Sequence, residues 1–526
     1  MKGRKKGMTP EEIAYFVKVY KKTPTKLEAQ ERLAEHFGIT TRSVRSRAKK
    51  LGLNTMKVAD DFDSTVSDAR RKEVEGDRVF VLWAQESSPA HKPFFKNVLA
   101  YAEEKNATVC VIMGRYKNPN SIYTVQDKDV WWDDILKPYL SLNRHNISKH
   151  VSVLSDVKVL PTATRPMNGF EGFENEVSII IGHPRMQMKT VATLEDYRMK
   201  EIWTTGACTL ENYTDSRAGK KGEFHHTLGF AVVEVDHDND ETYIRQVTAK
   251  DDGSFIDVAF SVDKEVVTES YDLTELYHCG DSHFGEQDDE IVDLGKKLIM
   301  KLKPNYVRLD DTFNGHSVTH WEKKLPIVLY ERFLAGESLL KNEFETLKKG
   351  LEWYANGDFT LVLPKCNHDV FLDRYIDTQD WKRDIPNSVE YMECATLLLK
   401  GTAPKGLIPY YVSQWYPSVI TLDGRKSFRV LDVEQSVHGH KGSNGSRGSV
   451  LQYTKLSTKM FTGHTHSPSR FDGVCTSGTN THLRVGFNDE GASSWAQADQ
   501  VLHKNGKPQQ FIFHNYKFTT LFDGQN

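Results

Sequence analysis

Disulfide chemistry has little to work with in this chain. Six cysteines among 526 residues (Cys110, Cys208, Cys279, Cys366, Cys394 and Cys475) stand apart, with no CxxC and no paired spacing. That argues against a disulfide framework or a zinc knuckle and points to a reducing cytoplasm. Long apolar runs are lacking as well. No stretch of 18 apolar residues occurs, and the basic start Met1-Lys2-Gly3-Arg4-Lys5-Lys6 is not followed by the apolar segment of a signal peptide. The expectation is a soluble protein with no membrane partner. A Walker glycine loop and a dinucleotide fingerprint are also absent.

What is present is an uneven distribution of charge. The first 54 residues carry nine lysines and five arginines against five glutamates, a net +9, which leaves −12 on the rest of a chain whose total is −3. A basic head on an acidic body suggests a polyanion as the head's partner. Thr9-Pro10-Glu11-Glu12 has the form of a helix start, with a capping threonine, proline at the first helical position and acids near the positive end of the dipole. Ile13, Phe16, Val17 and Tyr20 follow at helical spacing. A second helix is predicted from Lys26 to Phe37, ended by Gly38. A third, capped by Thr40 or Thr41, carries Arg42, Arg45, Arg47, Lys49 and Lys50 on one side and Val44, Ala48 and Leu51 on the other. The segment 33–44 looks like a helix-turn-helix, so residues 1–54 are read as a DNA-binding domain with those five cations toward DNA. A three-helix bundle with a solvated or protein-binding basic face is the alternative, and cations that reach only phosphates would carry no sequence readout.

Residues 55–77 are polar and Asp-rich (Asp60, Asp61, Asp63, Asp68) and read as a linker. Beyond it, apolar runs at 78–84 and 107–113 with a helix between them predict a β-α-β start and a parallel sheet. Further strands are expected at 178–182, 229–235 and 242–248, giving a mixed α/β domain over 78–265 of unknown role. Its polar clusters (Thr204-Thr205-Gly206, Tyr213-Thr214-Asp215-Ser216, Lys220-Lys221, His225-His226, and Gly182-His183-Pro184-Arg185) equally fit loop and strand-surface positions.

The C-terminal part, 266–526, carries five short clusters in order: Asp281-Ser282-His283, Asp310-Asp311, Asn367-His368-Asp369, His438-Gly439-His440 and His464-Thr465-His466. The first three each follow an apolar run that predicts a strand (275–279, 306–309, 359–363), the place where α/β proteins gather their sites. Together they supply the oxygen and nitrogen ligands of a two-metal centre, with one histidine to spare beside an acid.

This order resembles the calcineurin-like metallophosphoesterases, whose D-x-H, G-D-x-x-D, G-N-H-D/E, H and G-H-x-H motifs all have counterparts over roughly 270–490. The resemblance implies an α/β fold with two β-sheets sandwiched between helices. It implies one metal on Asp281, His283, Asp311 and His466, and a second on Asp311, Asn367, His438 and His464, with Asp311 as the bridge. His368, paired with Asp369, would be the catalytic acid. Mixed Asp/Asn/His ligation suits two Mn²⁺ ions, leaves zinc and iron open, and the related nucleases favour Mn²⁺. The chain departs from the pattern at Asp310 for glycine, at Asn314 for the second acid, and at Cys366 for the glycine before Asn-His-Asp. The choice of Asp311 over Asp310 rests on register alone. In His438-Gly439-His440 one histidine is expected to ligate, with His440 a loop residue. Lys441 and Arg447, in the glycine-rich loop 441–449, are candidate substrate contacts, with a mobile surface turn as the alternative, and His316 and His320 support the site, touch substrate or face solvent.

A phosphoesterase joined to a helix-turn-helix reads as a Mn²⁺-dependent deoxyribonuclease with DNA as partner. The three-part layout also resembles the pre-early first-step-transfer proteins of large tailed phages, which implies a role in destroying host DNA in the host cytoplasm. A phosphatase or small-molecule phosphodiesterase with a protein-binding head, or a DNA-binding regulator with a vestigial phosphoesterase, are the alternatives. Homo-oligomerisation stays open.

Overall fold

The computed structural model describes residues 8–22, 26–51, 60–119, 121–123, 130–319, 325–456, 458–486 and 488–522. The basic stretch 1–7, residues 52–59 of the expected head and linker, His320 and the side chain of Lys49 lie outside the described residues. Contacts divide the chain into two compact units, 1–65 and 66–526. Among the described residues no helix is long and apolar enough to cross a membrane.

The head contains the three expected helices, Pro10–Lys22, Lys26–Phe37 and Thr41–Lys50. Thr9 and Glu12 form a reciprocal capping box: Glu12 N–H donates to Thr9 Oγ1 at 3.3 Å and Thr9 N–H to Glu12 Oε2 at 2.7 Å. Thr40 caps the third helix by accepting Ser43 N–H at 3.2 Å. Gly38 takes φ +56°, the left-handed turn that releases the chain between the second and third helices. Phe16, Tyr20, Ala29, Leu33, Val44 and Ala48 form the small buried core. Arg42, Arg45 and Lys50 are exposed and Arg47 half-buried. Arg45 Nε also donates to Gln30 Oε1 at 2.9 Å, tying the third helix to the second.

The helix Asp60–Arg71 stands where composition predicted a linker. Its apolar pair Val66 and Ala69, one turn apart, is buried, and Arg70 and Arg71 complete it at the negative end of the dipole.

Residues 66–526 are mixed α/β with several mixed sheets. The predicted β-α-β start is present: Arg78–Gln85 pairs in parallel with Thr108–Gly114 across the helix Lys92–Glu104. Gly229–Asp236 and Glu241–Thr248 form an antiparallel hairpin that extends this five-stranded sheet. A six-stranded sheet runs in the order Ile420–Thr421, Thr360–Leu363, Tyr306–Arg308, Thr274–His278, Ala498–His503, Pro508–Ile512. Its first four strands are parallel, and all three strands predicted to precede site clusters are among them.

The ten-stranded sheet is built from both stretches of the chain. Arg429–Val430, Val433–Glu434, Lys459–Thr462, Val474–Thr476 and Ser469–Phe471 form one side, and Gln187–Val191, Lys200–Thr204, Ser178–Ile181, Val151–Leu154 and Arg144–Asn146 the other. The seam is antiparallel, Ser469 opposite Lys189 and Phe471 opposite Gln187. Residues 78–265 and 266–526 are therefore joined within one sheet. Leu276 and Leu502 of the six-stranded sheet pack on Val430, Val433, Phe461 and Cys475 of the ten-stranded one. Helices cover the opposite face of the six-stranded sheet, where Ile291, Leu298, Leu347 and Leu351 meet Tyr277, Val307 and Leu361.

Candidate metal centre

The parallel strands deliver the first clusters to one edge. Thr274–His278 runs through Cys279-Gly280 to Asp281, and Tyr306–Arg308 runs to Asp310-Asp311. Backbone bonds lock these loops together: Ser282 N–H donates to Asp310 O at 2.9 Å and His283 N–H to Asp311 O at 2.8 Å. His438 arrives from the loop after Val433–Glu434, and His464 and His466 from the turn after Lys459–Thr462. Gly463 N–H, donating to His438 O at 2.6 Å, joins those two segments.

Three groups of potential ligand atoms result among the described residues, each within 4.8 Å internally. One is Asp310, Cys366 and His438, and two match the expected sets: Asp281, His283, Asp311 and His466, and Asp311, His438 and His464. Asp311 belongs to both. Asn367 joins the second, its Oδ1 lying 3.0 Å from His438 Nε2. Asp311 Oδ2 is 3.0 Å from the same nitrogen and 3.9 Å from His283 Nε2. The Nε2 atoms of His283 and His466 face each other at 3.1 Å, and His466 Nε2 is 3.1 Å from Asp281 Oδ2. The structure thus brings together all seven side chains expected to ligate.

Three observations fit this set to a cation. Asp281 Oδ1 and Asp311 Oδ1 are buried without a hydrogen-bond partner, which is costly for a carboxylate unless something positive takes its place. Asp311 (φ +45°), His283 (φ +38°), His464 (φ +73°) and His466 (φ +55°) all adopt left-handed backbone. Such conformations cost on the order of 1–3 kcal/mol each and persist where the surroundings impose them. The protonation states also suit ligation. Burial, reinforced by the neighbouring imidazoles, pushes His283 well below the ordinary histidine range and His464 down to about 4. Burial alone would raise Asp311, but His438 and His368 outweigh it and hold its carboxyl well below the usual range. Neutral imidazoles and ionised carboxylates are what divalent cations bind. His438 differs: burial opposes its charge, yet Asp311, Asp281 and the bond to Asp310 raise it well above the ordinary value.

Asp310 and Asp311 are held differently. Asp310 takes a bidentate pair from Arg308, Nε–Oδ1 and Nη2–Oδ2 both 2.7 Å, lies 3.3 Å from His278 Nε2, and its Oδ2 is 2.9 Å from His438 Nδ1. It holds the His438 ring in place. Arg308 and His278 were missed in the sequence because both sit inside strands, where their burial could not be read. Cys366 is buried, its thiol accepting Asp311 N–H at 3.1 Å and raised by burial well above the usual range, so it stays a protonated packing residue near the site.

His368 and Asp369 require a correction. The sequence pairs them, but the His368 ring bonds the Asn314 carbonyl through Nδ1 at 2.5 Å, while Asp369 Oδ2 accepts Cys366 N–H at 2.9 Å. Successive residues entering a helix point about 100° apart, so adjacency in sequence separates their side chains. Burial raises the Asp369 carboxyl to about 7 despite that bond. The His368 ring packs edge-on against His283 at 4.5 Å between centroids, so it remains beside the ligands.

His440, expected to be a loop residue, has its ring 5.6 Å from His438 and 6.1 Å from His464. Lys441 and Arg447 are both exposed at the base of the glycine-rich loop, which Tyr453 fastens by donating to Gly439 O and Lys441 O, both at 2.7 Å. His316 bonds Glu286 Oε1 at 2.8 Å. Of the clusters in 78–265, His183 and Arg185 are buried, and Arg185 pairs with Asp472 at 3.2 Å across the ten-stranded sheet.

Protein A1 of Escherichia phage T5 is 28% identical to this chain over 465 residues, covering 84% of this chain and 83% of that protein. The match suggests a phage origin. No protein-family profile matches the chain, and no solved structure matches it.

Proposed function

We propose that this protein is a Mn²⁺-dependent deoxyribonuclease, cleaving DNA phosphodiester bonds at a centre of two cations, and that its six- and ten-stranded sheets are the β-sandwich of a calcineurin-like metallophosphoesterase. The observation that carries the reading is Asp311, a buried carboxylate common to two ligand groups. Asp281, His283, Asp311 and His466 would hold one cation, and Asp311, Asn367, His438 and His464 the other. Such a pair, when bound, clamps a phosphate and lowers the pKa of a water between them.

The chain's own residues do the rest. His368 donates Nδ1–H to the Asn314 carbonyl, which fixes the ring and leaves Nε2 to carry a proton to the departing oxygen. Asp310, anchored by Arg308, holds the His438 ring so that Nε2 faces Asp311 and Asn367. Lys441 and Arg447, exposed in the glycine-rich loop, would attract the phosphodiester backbone. DNA as substrate is supported by the basic head, where Arg42, Arg45 and Lys50 are exposed on one helix. In a phage this activity would act in the host cytoplasm, on host DNA early in infection.

Incubating the full-length protein with circular and linear DNA in Mn²⁺ tests the reading. Cleavage that disappears with EDTA and in Asp311→Asn is expected. Intact DNA of both forms would reject it, and hydrolysis of small phosphodiesters alone would turn the assignment to a small-molecule phosphodiesterase.

A further inference from the structure

A cavity of about 620 Å³ lies between the ten-stranded sheet, the turn before Pro508 and the helix Arg217–Phe224, away from the ligand cluster. The strand Lys459–Thr462 connects the two places. Lys459 lines the cavity, and His464 follows two residues past the strand's other end, a separation on the order of 15 Å.

The cavity has an unusual charge inventory. Arg470 is 5% exposed and lines it. Its Nη1 donates to Gln246 Oε1 at 3.3 Å and its Nη2 to Thr248 Oγ1 at 2.9 Å, both neutral acceptors, and its Nε has no partner. Buried guanidinium groups are ordinarily paired with carboxylates. The two acids lining the cavity are engaged elsewhere, Asp472 with Arg185 at 3.2 Å and Asp432 with Lys459 at 3.5 Å. Lys507, half-buried on the same wall, makes no ion pair among the described residues. Burial lowers its ammonium, Lys459, Arg470 and Lys250 lower it further, and Asp251 offsets this in part. Arg470 and Lys507, neither in an ion pair among the described residues, thus line one space with Arg429 and Lys459. Phe461, Val474 and Met186 supply apolar surface, Thr227, Thr454 and Thr458 line the rest, and Phe224, 83% exposed, stands at the edge.

We propose that this cavity binds a nucleoside monophosphate, its phosphate between Arg470 and Lys507 and its base against the apolar wall. A phosphate supplies the counter-charge that both Arg470 and Lys507 lack. The volume falls within the range of small-molecule sites, and an apolar lining with few convergent polar groups is their usual form. The assignment stands independently of the deoxyribonuclease reading.

Calorimetric titration of the full-length protein with deoxyadenosine 5′-monophosphate, deoxyadenosine and inorganic phosphate tests it. The nucleotide is expected to bind at least about tenfold more tightly than either fragment. Lys507→Gln, at a half-buried position that the fold tolerates better than a change at Arg470, is expected to weaken nucleotide binding at least about tenfold with unchanged DNA cleavage, and Asp281→Asn to leave binding intact. No heat with nucleotide up to millimolar concentration, equal affinity for deoxyadenosine or inorganic phosphate, or binding lost in Asp281→Asn and kept in Lys507→Gln, would each overturn it.

Discussion

Asp310 and Asp311 grip opposite sides of one imidazole: Asp310 Oδ2 is 2.9 Å from His438 Nδ1, and Asp311 Oδ2 is 3.0 Å from His438 Nε2. One carboxylate fixes the ring, and the other shares the ring's ligating edge. The division of labour between neighbours in sequence sets the first expectation.

Asp310→Asn removes the charge that balances Arg308 and disturbs His438 without touching a ligand atom. Stability to urea should fall by about 3–5 kcal/mol, the usual consequence of stranding a buried ionic partner. Metal affinity should fall roughly 10- to 100-fold, as for other groups that orient ligands. Equilibrium unfolding and metal titration read the two effects separately, and unchanged metal affinity would mean that His438 does not need the support.

His368→Ala should lower kcat by about 10²- to 10⁴-fold while bound metal, measured by elemental analysis, stays constant. Asp369→Asn should change kcat by only a few-fold, because an amide oxygen can still accept Cys366 N–H. Equal losses in the two variants would restore the sequence's pairing of these residues.

At Gly463 an added Cβ would lie 2.2 Å from Asp281 Oδ1 and 3.1 Å from Asp310 Oδ2. Gly463→Ala should therefore displace the Asp281 carboxylate and weaken metal binding, with little change in far-ultraviolet circular dichroism. Wild-type affinity in that variant would place Asp281 outside the ligand set.

Acid should unfold the large unit through buried histidines. Burial pushes His183 down to about 3 and His226 to about 4. His183 Nδ1 accepts Arg185 N–H and its Nε2 faces Leu160 O, so the folded ring is neutral. The unfolded chain gains these protons near pH 6.5 and the folded one only near 3 to 4. Their contribution is complete above pH 6.5 and fades as pH falls toward those values, by about 2 kcal/mol per residue at pH 5. His183→Gln should flatten that part of the stability profile in urea titrations at pH 7 and pH 5, and an unaltered profile would assign the acid sensitivity elsewhere.

Much of the molecule was legible because its signals are local. Val79 to Ala84 and Val109 to Met113 are apolar runs long enough to specify buried strands, and Thr9 with Glu12 wrote a capping box that is present. The seven ligand candidates were readable from their order and from their place just past apolar runs, although each histidine alone carried no information. The surroundings of Asp310 were not readable, because a one-residue register separates it from Asp311 and its partners Arg308 and His278 lie inside strands. His368 and Asp369 misled for the opposite reason, since a helix start turns adjacent side chains apart. The helix Asp60–Arg71 was hidden by its acidic surface, its buried side reduced to Val66 and Ala69. The seam between Ser469–Phe471 and Gln187–Val191 could not be read at all, because pairing across some 280 residues leaves no local pattern.

That seam has a practical meaning for anyone seeking a minimal fragment. A fragment beginning near residue 266 would strip the neighbour from Ser469–Phe471, baring a row of backbone donors and acceptors three residues beyond His466. Bare edges of this kind recruit other chains. The turn bearing His464 and His466 is braced from the far half of the polypeptide, so the smallest fragment that keeps this brace begins upstream of Gln187.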